Sequence, residues 1–248
     1  MFKIAGILLL SVAAFATSVD AQSMPPASAV NRTVIAATKL LTATEVPLHF
    51  RAVSVTVPPG EKATVSAASG ILYQVSGTTE ITVDKQPRIL TSGEGLFIAA
   101  GRMMTLKAGE ASSVLLHFLV GTATDLDQHA YTAPATMREL YRTSAPIPGL
   151  KAGNYDLNLT RITFPPQMPS NPPHHRSGAA LYYIISGTGL NTVDGKTETK
   201  GSGSLIYEPF DLVHQWGNPN DEPFTFLAFN INPDGVAAVL PGAPAKAQ

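Results

Sequence analysis

Gly70–Gly77 reads GILYQVSG and Ala180–Gly187 reads ALYYIISG, and each run continues through seven more residues to an aspartate, Asp84 or Asp194. The two stretches align without a gap at an offset of 110. Each holds a β-branched and aromatic run, a turn at Ser-Gly and a second short β-branched run, so a strand–turn–strand unit occurs twice. The chain is therefore a tandem of two similar domains. Each copy also serves as a control for the other, because a residue that only one copy carries is not demanded by the shared fold. That control singles out His174, His175 and His214.

Around the first copy, Ala52–Val57, Ile71–Val75, Glu80–Val83, Gly95–Ile98 and Val114–Val120 are strand-like and separated by Gly or Pro. The second half repeats the order with Leu157–Phe164, Leu181–Ile185, Leu190–Val193, Ser204–Tyr207 and Phe224–Asn230. No long helical period interrupts either set, and only Ala135–Arg142 reads as a short helix between them. Many short strands with regular turn signals indicate an all-β architecture of two sandwiches or barrels. The divisions expected are a flexible lead-in at 22–42, a first barrel at 43–121, a connector at 122–153, a second barrel at 154–236 and a tail at 237–248.

Residues 1–21 carry Lys3, an apolar run from Ile4 to Ala16 and the small-residue ending Val19-Asp20-Ala21. That pattern predicts a secretory signal peptide, and a secreted or periplasmic protein with no membrane anchor after cleavage. The run is shorter than the roughly 20 apolar residues a spanning helix needs. A net charge of -1, unchanged by loss of Lys3 and Asp20, argues against nucleic acid as a partner, which needs clustered Lys and Arg. The absence of Cys excludes disulfides, thiolate catalysis and zinc–thiolate sites. Charged residues at 14%, with 20 Gly and 20 Pro, suit short strands and tight turns. There is no phosphate loop and no G-x-S-x-G elbow.

The second half resembles a cupin, a small jelly-roll barrel known by two motifs. In the first motif the family has His, any residue, His, three or four residues, Glu, six residues and Gly. Counting back from Gly187, the shorter spacing places His174, Arg176 and Ala180 at the His, His and Glu positions. The longer spacing places Pro173, His175 and Ala180 there. In the second motif Gly203, Pro209, His214 and Asn218 fall at the family spacing, with Asp211 replacing the central Gly. The first half shows Thr64, Ser66, Gly70 and Met104 at its ligand positions. The resemblance thus implies two tandem jelly-roll barrels, a bicupin, with a degenerate N-terminal barrel and the candidate site in the C-terminal one.

Enzymes of this family usually hold Mn, Fe, Ni, Cu or Zn with three His and one Glu, donors that suit metals of intermediate hardness. Here Ala180 removes the carboxylate and Arg176 brings a cation to the same point. A metal site would need a bulge that turns His174 and His175 inward together to join His214, with Glu208 replacing the lost carboxylate. Three residues added before the His pair, in the proline-rich loop Gln167–Pro173, are a sequence hint of such a rearrangement. The other reading is a metal-free pocket. There His214, Tyr182 and Glu208 are the candidate acid–base groups, and Arg176, Tyr207 and Trp216 the candidate small-molecule contacts. His117 aligns with Ala228 and reads as structural.

Three functions are compatible with these residues: an exported enzyme acting on a small oxygenated metabolite by oxidation, isomerisation or lyase chemistry, a module that binds a small ligand without reaction, and a structural bicupin with filled barrels. Monomer and homodimer both fit.

Overall fold

A computed structural model describes residues 30–43, 47–66 and 68–242. The expected leader at 1–21, the lead-in at 22–29 and the tail at 243–248 lie outside the described residues. Every segment expected as a strand forms one. In chain order the first half runs β1 (Asn31–Ala43), β2 (His49–Val57), β3 (Lys62–Ser66), β4 (Gly70–Ser76) and β5 (Thr78–Val83). It continues with β6 (Gln86–Thr91), β7 (Gly95–Ile98), β8 (Met103–Ala108), β9 (Ser113–Gly121), helix α1 (Ala123–Gln128) and β10 (Thr136–Arg142). The second half runs β11 (Gly153–Phe164), β12 (His174–Arg176), β13 (Ala179–Ser186), β14 (Thr188–Val193) and β15 (Lys196–Gly201). It ends with β16 (Leu205–Glu208), β17 (His214–Gly217), β18 (Phe224–Pro233) and β19 (Val239–Pro241).

The repeated aspartates explain why the two stretches match. Asp84 and Lys85 in one copy, and Asp194 and Gly195 in the other, have positive φ and join hairpins closed by Val83 with Gln86 and Val193 with Lys196. Two-residue loops of that hand match the twist of the flanking strands, and Asp tolerates the left-handed region.

Each barrel is two antiparallel sheets. The N-terminal barrel joins the sheet β10-β2-β9-β4-β7 to β3-β8-β5-β6, and the C-terminal barrel joins β1-β11-β18-β13-β16 to β15-β14-β17-β12-β19. Alternation along the strands sorts the apolar residues. In β13, Tyr182 and Ile184 face the C-terminal barrel's core with Phe226 and Trp216, whereas Leu181 packs with Phe50, Phe118 and Phe229 in a core shared by both barrels.

Three expectations about the connecting and terminal segments are corrected. The tail expected at 237–248 is not loose at its start, because Val239–Pro241 forms β19 and pairs with β12. The lead-in is not loose where it is described, because β1 lies along the full length of β11, from Asn31 opposite Thr163 to Ala43 opposite Gly153. The 135–142 segment is not a helix either, since β10 pairs with β2 from Thr136 opposite Thr56 to Arg142 opposite Arg51. Both segments cover an open edge of a five-stranded sheet, and that demand overrides local helix propensity. Each barrel thereby receives a strand from the chain that precedes the other. The helix of the connector is instead α1, started by Thr122, whose hydroxyl accepts from Asp125 N at 3.1 Å.

The N-terminal barrel is filled. Leu72, Ile81, Ile98, Met104 and Leu106 form its core, and Tyr131 packs against them. His117 is buried there with Nδ1 2.8 Å from the Tyr131 hydroxyl, a structural role.

Candidate functional site

Side chains that face into the C-terminal barrel come in rows across its five-stranded sheet. One row runs Ala37, Asn158, Asn230, Ala180 and Glu208, each directly opposite the next on β1, β11, β18, β13 and β16. Ala180, at the family's Glu position, therefore sits between Asn230 and Glu208, and the only carboxylate of the row has moved one strand over.

The opposite sheet supplies the cationic side of the site. His174 on β12 lies directly opposite His214 on β17, with ring centroids 4.3 Å apart. The bulge that would turn His175 inward is absent, because β12 pairs with β19 residue by residue from His174 to Arg176. Alternation then puts His174 and Arg176 inside and sends His175 to the other face, where its Nδ1 is 3.3 Å from Asp211 Oδ1. The shorter motif spacing is the one the fold uses. The proline-rich loop before it is pinned to β17, with Asn171 N donating to Trp216 O at 2.9 Å and Trp216 N donating to Asn171 Oδ1 at 2.8 Å.

Arg176 and Glu208 meet inside the barrel with side chains only 8% and 1% exposed, Nε lying 3.6 Å from Oε2. Arg176 Nη2 donates to the Tyr182 hydroxyl, and Trp216 Nε1 donates to Glu208 Oε1 at 2.9 Å. Burial pushes the Glu208 carboxyl up, against the pull of Arg176, and burial pushes the Tyr182 hydroxyl well up. The two imidazoles are oriented alike. His174 Nδ1 is 2.9 Å from Pro172 O and His214 Nδ1 is 2.8 Å from Leu212 O, so both Nδ1 atoms carry the proton and both Nε2 atoms present a lone pair. Burial lowers His174 and takes His214 down to about 4, so both are neutral at pH 7.

The charge state of the site follows from one distance. His214 Nε2 is 3.1 Å from Glu208 Oε2, and neither atom has another hydrogen-bond partner, although Arg176 Nε also lies 3.6 Å from Oε2. Two lone pairs at that separation in a buried site repel, so one proton lies between imidazole and carboxylate. Whichever group holds it, the pair sums to neutral. Arg176, Glu208 and His214 together then carry one net positive charge.

Arg176, His174, Tyr182 and Trp216 line a cavity of about 830 Å³ whose remaining wall comes from β1, β11, β18, β19 with the residue before it, and the loop residues Asn171, Pro172 and Pro173. Glu208 and His214 are not among its lining residues; they stand behind Arg176. Tyr207, expected as a ligand contact, faces the other way. It packs in the shared core 6.2 Å from the Phe50 ring, where burial and Tyr141 push its hydroxyl up to about 12. The sequence reading missed Asn158, Asn230 and Asn232, which also line the cavity. Their signal was legible, since Asn230 and Asn232 continue the inward-facing set of Phe226 and Ala228 along an otherwise apolar strand.

The profile of the cupin domain family matches residues 160–230, which hold most of this site. This segment is a cupin domain. Among solved structures, this cupin is similar to a single-residue mutant of oxalate decarboxylase from Bacillus subtilis, at 15% identity and a TM-score of 0.55, covering 82% of this chain and 78% of that one. It is also similar to the formate complex of oxalate decarboxylase from Lactobacillus farciminis, at 14% identity and a TM-score of 0.52, covering 85% and 88%. A salicylate 1,2-dioxygenase from Pseudaminobacter salicylatoxidans matches at 10% identity and a TM-score of 0.50, covering 72% and 70%. These likenesses carry the two-barrel fold. No curated protein matches the cupin in sequence at a significant level.

The donor set does not fit the metal that the family implies. Among the described residues no three His, Cys, Asp or Glu side chains are grouped to hold an ion. Arg176 takes the second His position, and Glu208 Oε2 is already engaged by that cation and by His214. A divalent ion placed there would sit beside a fixed positive charge in a buried site.

Proposed function

We propose that this cupin is an exported enzyme whose C-terminal barrel binds a small oxygenated anion and transfers a proton on it without a metal. The observation that carries the reading is the buried Arg176–Glu208–His214 cluster, whose net positive charge is presented to the cavity by Arg176 alone. A carboxylate supplies the missing charge, and a guanidinium binds one through planar, charge-assisted hydrogen bonds. Nη1 is the donor that Arg176 has not committed to Glu208 or Tyr182.

Proton transfer is supported by His174, which also lines the cavity, is neutral at pH 7 and presents Nε2. In the proposed step Nε2 takes the proton from the carbon next to the carboxylate, and the electron pair moves onto the oxygen held by Arg176. Return of the proton to the opposite face of that carbon is an isomerisation at that centre; departure of a β-substituent, protonated by His174 as it leaves, is a lyase reaction. A binder that performs no reaction is the second reading, favoured by the placement of Glu208 and His214 behind the wall.

Deuterium uptake separates the two. With small carboxylates in D₂O, NMR is expected to show exchange of the α-proton that is lost in His174→Ala while binding persists. Binding with no exchange in the native protein would leave the binder reading alone. Export is supported by the leader pattern of residues 1–21, and an exported protein beginning at Gln22 is the expected result of N-terminal sequencing.

A further inference from the structure

The cavity has a second polar region that the anion site does not use. Asn230 and Asn232 on β18 line it, are 4% and 3% exposed, and each keeps its Oδ1 without a partner. The orientation of Asn230 is fixed, because its Nδ2 donates to Asn158 Oδ1 at 2.8 Å and to Ala228 O at 3.0 Å. Asn158 Oδ1 in turn accepts from the Thr160 hydroxyl at 2.9 Å. The wall of the cavity therefore holds a pair of buried acceptors, two residues apart on one strand, that the protein leaves without a donor. A buried amide oxygen left unpaired costs on the order of 1–3 kcal/mol, so two on one wall are expected to have a donor.

We propose that these oxygens read hydroxyl groups, and that the ligand is a polyhydroxylated carboxylate of the sugar-acid class. The inference rests on Arg176 as the anion site. Geometry supports one molecule reaching both. Arg176 and both asparagines line the same cavity, whose volume of about 830 Å³ holds a six-carbon acid. Trp216 and Phe226, stacked 5.4 Å apart with Tyr182 beside them, provide the aromatic surface on which the C–H face of a polyol packs.

Trp216 is the single tryptophan of the chain and lines the cavity, so its fluorescence reports occupancy directly. D-gluconate and hexanoate carry the same carboxylate on six carbons and differ in hydroxyls. Gluconate is expected to bind about tenfold tighter, equivalent to one good hydrogen bond. Asn232→Leu, and separately Asn230→Leu, is expected to remove that preference and leave hexanoate affinity within about twofold. Equal affinities in the native protein, or a preference that survives both substitutions, would overturn the hydroxyl subsite and leave the anion site standing. Failure of both acids to bind would overturn the two together.

Discussion

Ala180 and Glu208 lie directly opposite each other on neighbouring strands, so the carboxylate missing from one side of the ladder is present on the other. The rest of the exchange is at Arg176, which brings a permanent cation to a metal-ligand position. If that pair of changes is what replaced the metal, reversing it should bring the metal back. Arg176→His with Ala180→Glu recreates three imidazoles and one carboxylate on elements already paired through His174 and His214. The double variant is expected to retain about one equivalent of a divalent transition metal on purification without chelators, against less than about a tenth for the native protein. Stoichiometric metal in the native protein would sink the replacement argument.

Breaking the buried pair from one side should be costly. Glu208→Leu leaves Arg176 with no carboxylate and Trp216 Nε1 with no acceptor, for a loss of about 3–5 kcal/mol in urea unfolding. Arg176→Met added to it removes the orphaned cation, and the double variant is expected to recover most of that loss. If the single and double variants are equally unstable, the contact between the two charged groups is not what organises this end of the barrel.

Much of this arrangement was legible in the sequence. The strands around GILYQVSG and ALYYIISG follow from alternation and turn residues, and strand pairing selects the register in which His174 faces His214 and Ala180 faces Glu208. What escaped were the parts set by non-local pairing. No local signal in Asn31–Ala43 says that it lies on β11 rather than on its own barrel, because an edge strand is defined by the edge it covers. The charged run Met137–Arg142 looks helical for the same reason. Tyr207 lies one step of alternation away from the cavity face, and the asparagines of β18 carry no motif or titratable group that marks them in the sequence.

The N-terminal barrel carries a pH dependence of its own. His129 is 4.9 Å from His117, ring to ring, and burial together with Arg51 holds it down at about 4; burial holds His117 well below its ordinary value. Both are neutral in the folded protein and have values near 6.5 when unfolded. Below pH 6.5 the unfolded chain therefore binds more protons, and stability falls as pH drops towards 4. His129 alone contributes on the order of 3 kcal/mol across that window. Urea unfolding at pH 7 and pH 4.5 is expected to show the decline, and His129→Gln to flatten part of it. Stability that is level or higher at pH 4.5 would contradict the burial of this pair.

The exchanged strands make a prediction about separability. A polypeptide of residues 122–248 holds every strand of the C-terminal barrel except β1, so β11 presents a bare edge and the cavity loses the wall that includes Val34 and Thr38. Residues 22–121 likewise lack β10, which leaves β2 uncovered. Exposed edges of that length pair with other chains, so each half alone is expected to aggregate. Co-expressed, the halves can supply β1 and β10 to each other and bury the shared core around Phe50, Phe118, Leu157 and Phe229. Size-exclusion chromatography should then show a soluble one-to-one complex. Two halves that are each soluble and folded alone would mean that the strand exchange is dispensable and that the barrels are independent domains.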